Sequence, residues 1–502
     1  MIALSGRRGP LTATVLEPRS NRPRNFQEQP IFRRAELNRL RRGLFALGAA
    51  LSALHGLPAD GAEEIDPPAE QATSLAPVLP PPAFLANRAP LPDLLLKDKR
   101  ENRFFTGFPA FGWSPETGVT YGAAVQWFDN GPADSPFFRY TPYRQRIAVA
   151  ATDSTGGSTS VIIGYDRPYV ADSPWRIRGA AVFDRNRFEN YFGIGASTLG
   201  PLTFPGSSKQ YDNWDEYEDA LNQNVGGQTW TRYNDYLKTE VGALMTVERD
   251  FWGGWLRPQL GLQITHVDVR DYTGDTINGA TMQPTRLFTD QQAGKVTGFG
   301  GGWDNALKLG LTFDTRDFEP DPASGVMLQA VGRVSSEALG SAFNYQQVTL
   351  SARGFHNLLG NSGRLILAGR ATYVMQFGDV PFYSAPLIPF TDGDADGLGG
   401  HATLRGFVTD RFVGRAAAFA NGELRWSFGE RVLWNQHLRF MLVPFVDAGR
   451  VFDSIGDTTL ENWKFDGGIG FRLAWNLSTI VSFDFGRSSE GSIFYMLLGH
   501  QF

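Results

Sequence analysis

A few segments of this 502-residue chain carry residue types that could do chemistry. DGDADG (392–397) copies the first half of a calcium loop, D-x-D-x-D-G, in which alternating carboxylates wrap a cation. The twelfth position of such a loop should supply a glutamate, and here it is Thr403. The segment therefore reads as an acidic hairpin of a loop, with a weak divalent site as the alternative. GIGAST (193–198) and GFGGG (298–302) touch the dinucleotide fingerprint. Neither opens a recognisable helix, so the cradle for a pyrophosphate is missing. The six histidines (55, 266, 356, 401, 437, 500) have no metal spacing. The serines and aspartates form no nucleophile elbow. The sequence points to no enzyme, no cofactor and no bound metal. What remains is GHATLRGFVTDRFVGR (400–415), where Arg405 sits between Leu404 and Gly406–Phe407 without helix or strand periodicity. A charge beside apolar anchors suggests a loop tip that docks into something.

The elements that would hold such a tip are strands. Glycine numbers 57, phenylalanine 38, and aromatics make up 13% of the chain, a mix suited to β-structure with tight turns. The formal net charge of −5 offers no basic footprint for nucleic acid. With no cysteine, disulfides, thiol catalysis and a lipoprotein anchor are excluded together. LFALGAALSAL (44–54) is too short for a membrane-spanning helix, which needs roughly 20 residues. Its arginine-rich flank and small-residue exit have the layout of a secretory signal over 35–61, with Ala59 and Gly61 before the cut. Residues 1–34 are then an extension of uncertain expression. Residues 62–103, rich in proline, read as an extended linker; residues 104–502 form the folded unit.

From 104 onward the chain alternates with the period of a strand. In ALKLGLTFD, Leu307, Leu309, Leu311 and Phe313 oppose Lys308, Gly310, Thr312 and Asp314. In FDGGIGFRLAW, Phe465, Ile469, Phe471, Leu473 and Trp475 oppose Asp466, Gly468, Gly470 and Arg472. Sixteen candidate strands follow, among them 228–250 and 491–502, with long connections at 187–227, 272–303 and 379–415. A large apolar face opposite a charged one fits an antiparallel transmembrane β-barrel around a polar lumen. Alternation alone also allows a β-sandwich with the apolar face inward; the signal segment and the charges of the opposite face favour the barrel.

On these motifs the chain resembles the BamA/TamA-type outer-membrane assembly factors, the bacterial surface antigen family. LRGF (404–407) resembles the family's loop motif and FVDAG (445–449) its Phe-x-Asp-x-Gly strand motif. GELRW (422–426) resembles a strand with a luminal glutamate, FDTRDFEPDPASG (313–325) the Asp-rich turn, and YFGIG (191–195) another recurrent segment. The resemblance implies a Gram-negative outer-membrane barrel whose sixth outer loop folds into the lumen, its arginine paired with luminal carboxylates. Strand phase points Glu423 and Asp447 inward independently. Arg405, Gly406, Phe407, Glu423, Asp447 and Gly449 are thus the expected lock. The last strand, FYMLLGHQF from Phe494 to Phe502, would carry an assembly signal and one side of a seam, with Gly499 loosening its pairing. The chain departs from the family in showing only a linker where larger members carry periplasmic substrate-binding repeats, and so resembles a short form. The implied function is insertion or translocation of proteins, or of lipid. The implied partners are outer-membrane lipid, unfolded barrel clients and a second copy of the chain. A porin-like transport barrel and a purely structural or interaction barrel are the alternatives.

Overall fold

The computed structural model describes residues 80–97, 99–114, 118–433, 436–476 and 479–502. The segments expected as N-terminal extension and signal, and the first part of the expected linker, lie outside the described residues. Among those described, sixteen long strands and the three-residue Gly301–Trp303 form one antiparallel sheet. In chain order the long strands are β1 (Arg103–Ser114), β2 (Gly118–Asp129), β3 (Gln145–Ser154), β4 (Thr159–Arg167), β5 (Trp175–Asn190), β6 (Asp235–Arg249), β7 (Leu256–Arg270), β8 (Ala306–Asp314), β9 (Gly325–Ser335), β10 (Tyr345–Asn357), β11 (Leu365–Gly378), β12 (Ala416–Leu433), β13 (Gln436–Phe452), β14 (Lys464–Trp475), β15 (Thr479–Ser488) and β16 (Gly491–Leu498). Each pairs with its sequence neighbour. This unbroken series is incompatible with the two packed layers of a sandwich.

The sheet curls until Cα atoms of β1 and β16 come within 8 Å, but among the described residues no ladder joins those two strands. A seam therefore separates the first strand from the last. The two faces are inverted relative to a soluble fold. Leu309, Leu311, Leu260, Leu262, Ile264, Val446 and Phe465 are exposed on the outside, whereas Lys308, Arg333, Glu423, Arg425, Arg472 and Asp484 are buried inside. Charged side chains are enclosed because the curled sheet and the inserted loops surround them with hydrogen-bond partners. The interior is not uniformly polar. Met441, Val443, Ala474 and Ile480 form one inward apolar cluster, and Ala124, Ala148, Ala150, Ile162 and Val182 another.

The two rims differ. At the base lie 130–144, 168–174, 250–255, 315–324 and 358–364. The opposite rim, the crown, carries 191–234, 271–305 and 379–415. The strand expected over 228–250 begins only at Asp235. Gln228–Thr229 instead joins a small sheet with Thr276–Ile277 and Ala280–Met282. Residues 230–233 are drawn from the ladder by the crown's aromatic cluster of Phe192, Phe204, Tyr211, Tyr217 and Tyr233, against which Trp230 packs. The last strand also ends early. β16 stops at Leu498, Gly499 adopts φ +94°, and the chain leaves the ladder. Only glycine takes that left-handed conformation without strain.

An exposed apolar belt of this kind matches a lipid surround. In lipid vesicles, Leu309→Arg is expected to cost about 2–4 kcal/mol and Leu309→Phe next to nothing. Guanidinium unfolding in vesicles measures both.

Candidate functional site

Residues 379–415 leave β11 at the crown and return inside the sheet. Ile388–Phe390 and Gly393–Ala395 form a hairpin, and behind it Leu398, Leu404, Phe407, Phe412, Phe419 and Val451 make an apolar anchor. The anchor holds the segment Leu404–Gly406 against the inward faces of β12 and β13, and Arg405 is fully buried there. Its Nε donates to Asp447 Oδ2 at 2.8 Å and its Nη2 to Asp447 Oδ1 at 2.9 Å. Its Nη1 donates to Glu423 Oε1 at 2.7 Å, and the guanidinium lies 3.4 Å from the centroid of the Phe445 ring. A bidentate fork on one carboxylate with a third bond to a second is a geometry that arginine can make and lysine cannot.

The strands supply the partners in register. Asn421 pairs with Asp447 across β12 and β13, and Glu423 with Phe445. Arg425 Nε donates to Glu423 Oε2 at 2.8 Å, so Glu423 is shared between two arginines. Asn421 Nδ2 donates to Asp447 Oδ1 (2.8 Å) and to the Thr403 carbonyl (2.6 Å). Arg472 and Asp484 form a second bidentate pair at 2.7 and 3.0 Å, and Asp484 lies 3.9 Å from Arg405 Nη1. Gly406 has to be glycine. A Cβ there would stand 2.6 Å from Asp466 Cβ and 2.8 Å from the backbone carbon of Arg487. Gly449 lies beside Leu398 of the loop. The structure thus gathers Arg405, Gly406, Phe407, Glu423, Asp447 and Gly449 in one place.

The residues assigned to the seam divide. Phe494 stays on β16, paired with Phe485 and facing outward. Gly499 ends the ladder. Phe502 lies inside, beneath loop 379–415, rather than closing the strand. Its ring packs on Phe355 and lies 5.0 and 5.3 Å from the Arg370 and Arg425 guanidinium groups. The acidic segment forms a hairpin of this same loop and is carried inward with it. Asp394 reaches Lys308 (3.1 Å) and Arg333 inside the sheet, which leaves it turned to cations already present.

Sequence reasoning missed the stitches between this loop and the last hairpin. Ser488 Oγ donates to the Gly406 carbonyl (2.6 Å), Tyr495 OH to that of Phe407 (3.3 Å), and Gln501 Nε2 to that of Thr403 (3.2 Å). Arg411 is 2% exposed. It grips Glu490 with two bonds of 2.9 Å and spends its remaining donors on the carbonyls of Thr198 (2.6 Å) and Gly200 (2.9 Å). No local pattern marks Arg411. Its partners come from two connections far apart in sequence, 191–234 and the turn at Glu490.

At the base, Asp321 in the 315–324 turn receives Arg364 (2.7 Å), Arg439 (3.0 Å) and His500 Nε2 (3.2 Å). Burial works against the Asp321 carboxylate, but the His500 hydrogen bond and the two arginines together hold it below the usual range. Burial pushes His500 down to about 4.

Residues 144–502 match the Omp85 superfamily domain. The chain belongs to the Omp85 superfamily. This is the superfamily of the BamA/TamA-type factors. Residues 82–144 match a domain of unknown function, DUF5982. Solved structures similar to this Omp85 chain include BamA from Haemophilus ducreyi lacking POTRA domains 1–3, at 15% identity and a TM-score of 0.48 over 79% of this chain and 70% of that one. CdiB from Escherichia coli matches at 11% identity and a TM-score of 0.46, over 79% of this chain and 62% of that one. CdiB from Acinetobacter baumannii matches at 12% and 0.42, over 79% and 59%. Both CdiB matches thus span less than two thirds of those chains. Among curated protein sequences none matches this one.

Two outcomes are expected. Arg405→Ala leaves Glu423 and Asp447 buried with a cation missing and costs about 3–5 kcal/mol; Arg405→Lys recovers only part, because the fork is lost. Equilibrium unfolding in denaturant measures both. Acid weakens docking of the C-terminal segment. His500 is held neutral in the fold, so its contribution is complete above its ordinary value near 6.5 and is lost as pH falls from there toward 4. Asp321 follows at lower pH as it becomes protonated. His500→Gln should flatten the pH 4–6.5 part of a stability profile.

Proposed function

We propose that this chain is a non-enzymatic β-barrel of the bacterial outer membrane, sixteen-stranded, with its sixth outer loop locked in the lumen. It aids insertion or translocation of proteins, and by the same route of lipid, at that membrane. The base then faces the periplasm and the crown the outside. The observation that carries the reading is the combination at the last hairpin: a strand edge with no ladder to β1 among the described residues, held from inside by loop 379–415 through Ser488, Tyr495 and Arg411, while Arg405 fixes that loop to β12 and β13. An edge of this kind, beside a seam, is where an incoming strand can add by its backbone. The loop sets when the edge is free. Outer-membrane lipid and unfolded barrel clients are the partners this implies; a second copy of the chain is a further candidate. The exposed apolar belt supports the membrane location.

A second reading has its own observation. The lock is fully buried and charge-matched, as a brace for a porin-like or structural barrel would be. A transport barrel would show steady conductance that grows when the loop is deleted. The decisive experiment follows insertion of a urea-unfolded barrel client into liposomes containing wild type or Arg405→Ala, with folding of both checked by heat-shifted gel mobility. Acceleration by wild type that changes in the folded variant supports the insertase reading. No acceleration by either, with both folded, refutes it.

A further inference from the structure

The described part of the segment expected as an extended linker is packed along the base. Residues Ala83–Leu85 form a 3₁₀ turn and Asp93–Lys97 a short helix. Leu85 is fully buried with Phe137 and Tyr169, and Phe84 stacks beside them. The strap then crosses the 250–255 turn. Asn87 donates its backbone N–H to the Gly253 carbonyl (3.0 Å) and its Nδ2 to the Trp252 carbonyl (3.0 Å), while Trp255 Nε1 donates to the Asn87 carbonyl (3.0 Å). The turn is shaped for this. A Cβ on Gly253 would stand 2.9 Å from the Asn87 nitrogen, and one on Gly254 would stand 2.6 Å from Arg88 Cγ. Further along, Leu91 donates to the Arg139 carbonyl (2.7 Å) and Lys99 Nζ to the Thr141 carbonyl (2.6 Å).

Behind the strap lies a cavity of about 230 Å³. Arg88 through Leu91 form its base wall. The tip of the inserted hairpin, Thr391–Asp392, forms the opposite wall, with Arg178, Gln259 and Met327 between. Arg88 reaches 3.6 Å from Asp314 and 3.5 Å from Glu319, the first inside the barrel and the second on the 315–324 turn. The tip is pinned independently, since the Thr391 carbonyl accepts from Gln259 Nε2 (2.9 Å) and Arg178 Nη2 (3.3 Å).

We propose that residues 83–102, the leading part of the domain of unknown function, are the inner stopper of the barrel. They close the interior chamber from the base, and Arg88 is the latch. The strap is held by one apolar patch, backbone bonds, side-chain bonds to carbonyls from Asn87, Trp255 and Lys99, and one arginine at 3.5–3.6 Å, whereas loop 379–415 is held by short, fully buried ion pairs. The strap is therefore the closure that opens first. This assignment does not depend on insertase activity.

The cysteine-free chain allows a direct test. Met327→Cys places one thiol on the chamber wall, and its reaction with a charged methanethiosulfonate reagent reports access. With the strap intact the thiol reacts slowly. Adding Arg88→Ala, or Leu85→Asp, is expected to raise the rate by about tenfold or more, while Arg88→Lys keeps it low. Heat-shifted mobility confirms that each protein is folded. If Leu85→Asp does not fold, Arg88→Ala carries the test alone. Fast reaction with the strap intact, or equal rates with and without Arg88, overturns the proposal.

Discussion

A guanidinium enclosed in a β-barrel has few places to go. Removed from water, Arg405 is tolerable only where carboxylates meet its hydrogen-bonding fork, and in this chain Asp447 and Glu423 do so. The cost of a mismatched buried charge makes the position of loop 379–415 nearly unique. From that single placement much else follows. Gly406 touches Asp466 and the backbone of Arg487, Phe407 fills the apolar anchor, and Thr403 lies within reach of Asn421 and Gln501. Ordering a loop of this length costs closure and backbone entropy, which short ion pairs and the Leu398–Phe412 cluster offset.

The same loop links the crown to the seam. Ordinarily a strand edge is held by its neighbour's backbone. Here β16 has a neighbour on one side, β15, and on the other comes near β1 without a ladder among the described residues. Support also comes from inside, through Tyr495 and Gln501, which bond to loop carbonyls, and through Phe502, tucked between two arginines below the lock. The loop and the last strand are thus tied to each other by direct bonds.

Part of this was legible in the sequence. Period-two alternation pointed Glu423 and Asp447 inward, because β12 and β13 are regular at those positions and the side-chain direction depends on parity alone. LRGF and FVDAG, through the family resemblance, then brought Arg405 to them. Arg425, Arg472 and Asp484 lay on the correct face but could not be assigned to the lock, because height along the barrel depends on register, which alternation does not report. Arg411, Asp394 and the strap at Arg88 were beyond reach for a different reason. Their conformations are set by partners distant in sequence, and proline-rich or glycine-rich segments look alike whether they wave in solvent or pack on a turn. The inward turn at Gly499 was half visible. A glycine near the end of a strand signalled weakened pairing, but where the chain went next was decided by Arg425 and Phe355.

The most direct test of this account is amide hydrogen exchange across Gly491–Leu498 in folded wild type and folded Arg405→Ala. If the loop holds the last strand, protection in β16 falls in the variant while β3 and β4, far around the sheet from β12 and β13, keep theirs. Unchanged protection in β16 would contradict the account and leave Arg405 as a local brace with no hold on the seam.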